Sequence, residues 1–155
     1  MDPIETKLAA LGLTLPGAPA PAASYVPFRF NGSTLVLAGV ISIRDGIVTH
    51  AGQVGAAQTV EAGYAAAQVC ALNALAALKA ALGRLDRVDE FIFVSGYVNA
   101  VAGFDQSPQV INGASDLFLQ LYGERGRHAR AAVAVAGLPR NATVEIQVTV
   151  TYKSP

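Results

Sequence analysis

Tryptophan is absent from this chain of 155 residues, and cysteine and methionine each occur once. A lone Cys70 excludes a disulfide framework and any cysteine–histidine zinc spacing. The two histidines, His50 and His128, sit in no ligand spacing either, so no metal site is expected. Charge is scarce: 14% of residues are charged, against ~25% in soluble domains generally. Eleven basic side chains balance eleven acidic ones, and no run of lysine or arginine appears. The basic face of a nucleic-acid binder is therefore missing, and Arg125, Arg127 and Arg130 are too few to make one. There is no G-x-S-x-G elbow for a serine nucleophile. Gly52-Gln53-Val54-Gly55 reads as a loop rather than a nucleotide-binding fingerprint, and no cofactor is implied. A basic region followed by an apolar run is not found at the N-terminus, so no signal peptide is expected and the reading is cytoplasmic. The most apolar stretch, residues 65–82, is interrupted by Gln68, Asn73 and Lys79. It reads as an alanine-rich amphipathic helix and not as a membrane span.

Apolar residues, by contrast, make up 52% of the chain. That is ample for one domain, 1–155, which at this length buries roughly 70% of its unfolded surface. So few charges beside so much apolar surface imply that part of the exterior is covered by other subunits. Residues 3–12 predict a short helix with Ile4, Leu8 and Leu11 on one side, followed by an extended arm at Pro16, Pro19 and Pro21. A strand is expected over residues 25–30, a hairpin turn at Asn31-Gly32, a second strand over 34–40, and a short third at 47–49 after Asp45-Gly46. The clearest helix is 59–82. Thr59 can cap it, Glu61 suits its first turn, and Gly83 is placed to end it. Phe91-Ile92-Phe93-Val94 is apolar at consecutive positions, the pattern of a strand buried on both faces. A second helix begins at Ser107-Pro108, with proline at its first turn, and ends at Gly123.

Strands are expected at 130–136 and 143–152. The last alternates, with Val144, Ile146, Val148 and Val150 on one face and Glu145, Gln147, Thr149 and Thr151 on the other. If the two strands form a hairpin, Val133 and Val135 join the apolar face, and Arg130 lies on the face of Glu145. The order is roughly β-β-β-α-β-α-β-β: an α+β fold, a mixed sheet with two helices packed on one face.

The segment from Arg130 to Ile146 carries an arginine, an alternating small-residue and valine strand, Leu138-Pro139, then Val144-Glu145-Ile146. It resembles the C-terminal signature of the YjgF/Rid family, often labelled endoribonuclease L-PSP-like. Tyr25 and Ala38-Gly39-Val40-Ile41 are similar to that family's N-terminal tyrosine and Ser-Gly-Gln-Ile region. The match covers about residues 20–152, leaving 1–19 as an N-terminal extension. The resemblance implies a chorismate-mutase-like fold, a homotrimer with clefts between subunits, and hydrolytic deamination of reactive 2-imino acids to 2-keto acids without a cofactor. It implies that Arg130 holds the substrate carboxylate, a task suited to a planar, always charged fork. It makes Glu145 the group that orients water and moves protons, and it places Tyr25, Gly39, Ala132 and Asn112 around the substrate. Ala38, Val40 and Ala132 stand where the family has serine, glutamine and often cysteine, the mark of a divergent subgroup. Two other readings stay open: a non-catalytic trimer that binds a small carboxylate, and the endoribonuclease label, against which the zero net charge weighs.

Overall fold

The computed structural model describes residues 1–18, 20–21 and 23–155, so Pro19 of the expected arm lies outside the described residues. A short helix, α1 (Pro3–Ala10), comes first. Asp2 caps it: Oδ1 accepts from Ile4 N, while Oδ2 accepts from the backbone N–H groups of Leu85 and Asp86. One buried carboxylate thus caps a helix and pins it to the turn at Leu85-Asp86. Ile4 and Leu8 are buried as the spacing requires, but Leu11 is 46% exposed.

Strands β1 (Phe28–Asn31) and β2 (Thr34–Leu37) form the first hairpin. Its loop is Gly32-Ser33, one residue later than expected, and only Gly32 has positive φ. That is the arrangement in which the first loop position alone needs glycine. The expected second strand is broken. After Leu37 the chain leaves the ladder and returns as β3 (Val40–Ile41), and both pieces pair with β8 (Val144–Tyr152). Val36 pairs with Thr149 and Val40 with Ile146, so the β2–β3 side has one more residue than β8 across the break. This is a β-bulge, which re-aims the backbone locally. Gln147 Nε2 donates to the Leu37 carbonyl there, replacing a ladder bond. Strands β4 (Ile43–Arg44) and β5 (Ile47–Val48) make a separate two-stranded ribbon.

Helix α2 (Val60–Leu82) is capped by Thr59, whose Oγ1 accepts from Ala62 N, and it ends at Gly83 with φ 80°. It is long and apolar enough to cross a membrane by length and composition alone, but 67% of that apolar window is buried inside the domain. It is the core helix. Strand β6 (Val88–Asn99), helix α3 (Ser107–Tyr122) and strand β7 (Ala129–Val135) follow. The main sheet runs β1-β2-β8-β6-β7, with β3 beside β8. It is mixed, because β6 and β7 are parallel while the other pairs are antiparallel. Helices α2 and α3 pack on one face, burying Leu35, Val94, Val98, Val144, Ile146 and Val148. Two glycines allow that packing. A Cβ on Gly113 would lie 2.0 Å from the Tyr64 carbonyl, and one on Gly96 would lie 2.6 Å from the Ile111 side chain.

Two expectations are corrected here. Strand β6 is buried on one face in this chain: Phe91 and Val94 are covered, whereas Ile92 is 41% and Phe93 37% exposed. And β7 does not form a hairpin with β8. It pairs in parallel with β6 at the sheet edge, in the register Val94–Arg130, Gly96–Ala132 and Tyr97–Val133. Paired residues share a face. Arg130 and Ala132 therefore lie on the helix side, and Val133 is 46% exposed on the open side.

Candidate functional site

Glu145 belongs to β8, whose even-numbered valines and isoleucine face the helices, so it projects from the open face beside Tyr97. Its carboxylate lies against Gly39, in the bulge between β2 and β3, where a Cβ would come within 2.6 Å of Oε2. The bulge turns the backbone toward the acid, and the missing side chain leaves room for it. Burial raises the Glu145 carboxyl above the ordinary glutamate value. Among the described residues no group donates a hydrogen bond to that carboxylate, and it is in no ion pair.

Glu145, Gly39 and Tyr25 line one cavity of about 500 Å³, within the range of small-ligand sites. Pro16 and Gly17 of the N-terminal arm form one wall. The β4–β5 turn with Arg44 and Asp45 forms another, and Arg140 and the α2 residue Asn73 complete it. Asn73 is buried, and its Nδ2 donates to the carbonyls of Ile41 and Ile43. Two acceptors on that side fix the amide's orientation. Its Oδ1 is left with no donor among the described residues.

Arg130 and Asn112 lie elsewhere. Arg130 Nη1 donates to Asn112 Oδ1 at 2.8 Å and to Ser115 Oγ at 3.0 Å, and Nη2 donates to the Pro108 carbonyl at 3.3 Å. The chain of bonds continues in one direction. His128 Nδ1 lies 2.8 Å from the Gly126 carbonyl and must donate to it. In the neutral ring Nε2 is then the acceptor for the Ser115 hydroxyl, at 2.8 Å. Burial, with the Arg130 charge beside it, holds His128 below the ordinary imidazole value and favours that neutral form. Three acceptors thus fix the guanidinium, and among the described residues nothing takes its Nε hydrogen or the second Nη2 hydrogen.

The expected residues therefore fall into two groups: Tyr25, Gly39 and Glu145 at the cavity, and Arg130, Asn112 and Ala132 on the other side of the sheet. Ser115, His128, Asn73, Arg44 and Arg140 were missed. Ser115 alone left a trace, standing one helical turn after Asn112 on the same stripe. Asn73 is hidden in an alanine-rich helix, and Arg44 and Arg140 come to one cavity only through the tertiary fold.

A family model described as "YjgF/chorismate_mutase-like, putative endoribonuclease" matches residues 5–150. The chain belongs to the YjgF/Rid family. Protein TCP17 of Trypanosoma cruzi is 43% identical to this Rid chain over 148 residues, covering 95% of it and 92% of TCP17. Two solved structures share the whole architecture. Atu1372 of Agrobacterium tumefaciens, a protein of unknown function, is 42% identical with a TM-score of 0.91, over 98% of this chain and 93% of its own. A "putative endoribonuclease" from Shewanella oneidensis MR-1 is 35% identical with a TM-score of 0.92, over 96% and 98%. The α+β fold of this Rid protein, with its mixed sheet and packed helices, is the one its family shares.

Proposed function

We propose that this Rid protein binds a small carboxylate-bearing molecule in a cleft that a neighbouring copy completes, with the homotrimer as the assembly. The observation that carries this reading is the placement of Arg130 and Glu145. Arg130 and Glu145 sit on opposite faces of one sheet, and among the described residues neither has a charged partner. Within one chain they cannot hold the same small ligand. Arg130 is on the edge strand, braced by α3 and with N–H groups to spare. Glu145 is on the open face, which also exposes Phe93 and Val133. A second copy docked on that face brings one chain's arginine to the other's acid.

Hydrolysis of a 2-imino acid is the second reading, favoured by the state of Glu145. A carboxylate that accepts no hydrogen bond among the described residues, and that burial holds above the ordinary glutamate value, is a better base than an ordinary glutamate. Glu145 would take a proton from water as its oxygen bonds to the imine carbon. Passing that proton to nitrogen gives the carbinolamine; Glu145 then takes the hydroxyl proton and delivers it to the amine, the C=O bond forms as the C–N bond breaks, and ammonia leaves with a 2-keto acid. Nucleic-acid cleavage draws no support from the charge: the net charge is zero, and phosphate contacts dominate such binding.

The test generates 2-iminobutanoate in situ with a threonine dehydratase, with semicarbazide competing for it. Keto-acid formation accelerated by wild type but not by Arg130→Ala or Glu145→Gln supports deamination. Arginine-dependent carboxylate binding without acceleration leaves the non-catalytic trimer. A monomer by light scattering at micromolar concentration refutes the shared cleft.

A further inference from the structure

Two guanidinium groups line the cavity that holds Glu145, and the carboxylate reading above uses neither. Arg44 lies at the end of β4, and its Nη2 donates to the Thr14 hydroxyl at 2.8 Å and, at 3.4 Å, to the Thr14 carbonyl. Arg140 lies between β7 and β8, and its Nη2 donates to the Gly46 carbonyl at 3.0 Å. Both are therefore held by uncharged acceptors, and among the described residues neither is in an ion pair. The chain has other carboxylates to spend on arginines, as Arg84 with Asp86 and Arg127 with Glu124 show. Asp45 also lines the cavity, yet it is within ion-pair distance of neither arginine.

The placement is built by backbone. Arg140 and Asn141 take φ of 56° and 57°, a conformation costly for an arginine. The Arg140–Gly46 bond ties that strained turn to the tip of the β4–β5 ribbon. In the same way Thr14 ties Arg44 to the N-terminal arm. Two cations thus line one cavity of about 500 Å³. That volume exceeds what a two-carbon side chain would fill.

We infer that Arg44 and Arg140 form a second anion subsite, which makes the preferred ligand a dicarboxylate: a 2-keto or 2-imino acid with a further carboxylate at the end of its side chain. This rests on the shared-cleft reading, in which the partner copy's Arg130 takes the carboxylate next to the reacting carbon. Glu145 then lies between the two ends. The arginines at the distal end offset the repulsion between that acid and a doubly charged ligand.

Titration calorimetry of the intact protein separates the two claims, with 2-oxoglutarate and 2-oxobutanoate as probes. Wild type should bind 2-oxoglutarate at least about tenfold more tightly, the contribution of one charge-assisted contact. The pair Arg44→Gln and Arg140→Asn should remove that advantage and leave 2-oxobutanoate unchanged. Asparagine is used at position 140 because it tolerates positive φ. Arg140 is exposed and Arg44 half-buried, and an unchanged melting temperature verifies the fold. Equal affinity of wild type for the two acids, binding of neither, or an advantage that survives in the double variant overturns the subsite. Arg130→Ala reports on the underlying reading. If it weakens both acids alike, the shared cleft stands whatever the subsite does. If it changes neither while the double variant abolishes the preference, the subsite stands and the shared cleft fails.

Discussion

Gly39 and Glu145 occupy one volume between them: a Cβ on the glycine would come within 2.6 Å of the acid's Oε2. The atom it would meet is the far end of a flexible side chain, so the carboxylate can swing aside. Gly39→Ala should therefore cost stability little, under about 1 kcal/mol, below the ~1–3 kcal/mol of overpacking in a rigid core. It should cost ligand turnover or binding far more, because the acid is displaced. Denaturant midpoints set beside assays of the same preparation test this. A large stability loss with normal activity contradicts it.

A different glycine predicts the reverse. The missing Cβ of Gly113 lies 2.0 Å from a backbone carbonyl, that of Tyr64, where α2 and α3 cross. Backbone cannot rotate away, so Gly113→Ala must push the helices apart. We expect a loss of about 3 kcal/mol or more, at the upper end for overpacking. Urea unfolding measures it, and a variant as stable as wild type would refute the close crossing.

The pH dependence of stability follows from Glu145. Burial raises its carboxyl in the folded state, so the folded protein holds the proton more tightly than the unfolded chain. Below the unfolded value both states are protonated and the group contributes no difference. As pH rises toward the raised folded value, stability is lost, and the loss is complete above it. Glu145→Gln should thus melt at a higher temperature than wild type at pH 7. The two curves should converge as pH falls below the ordinary glutamate value. A gap that stays constant with pH would exclude this origin.

Arg130 predicts a failure of conservative exchange. Its fork meets Asn112, Ser115 and Pro108 together, a geometry an ammonium cannot reproduce. Arg130→Lys should weaken carboxylate binding by about tenfold or more, about 1.4 kcal/mol. Ser115→Ala, which breaks the link to His128, should lower affinity to a smaller extent and leave the maximal rate unchanged. Calorimetry with 2-oxobutanoate reads both, and full affinity in the lysine variant would show that the fork has no role.

Asp2 offers a test of the N-terminus. Its carboxylate accepts three backbone N–H bonds, one within α1 and two from Leu85 and Asp86. Removing a charged acceptor leaves those donors buried. Asp2→Ala should cost about 2 kcal/mol, combining a lost helix cap with lost charge-assisted bonds. Hydrogen exchange should show α1 opening before the rest of the domain. Uniform protection would count against a local role.

The sequence by itself determined the elements whose signals are local. Thr59 and Gly83 bound α2 because a cap and a positive-φ stop act within one turn. The alternation in β8 is visible because one buried face imposes period two. The proposed site pair, Arg130 and Glu145, is legible because it stands in a family signature. Which face each residue occupies was decided only by the tertiary structure. Strand parity depends on the partner, and β7 pairs in parallel with β6 rather than folding back on β8. That single choice sends Arg130 to the helix side, away from Glu145. The same holds for the bulge at Gly39 and for the cavity's two arginines. A bulge is a mismatch of one residue between two distant strands, and Arg140 and Arg44 are held at the cavity by contacts across 94 and 30 residues of chain, to Gly46 and Thr14 respectively. No window of sequence contains both ends of such a contact, so only the folded chain states it.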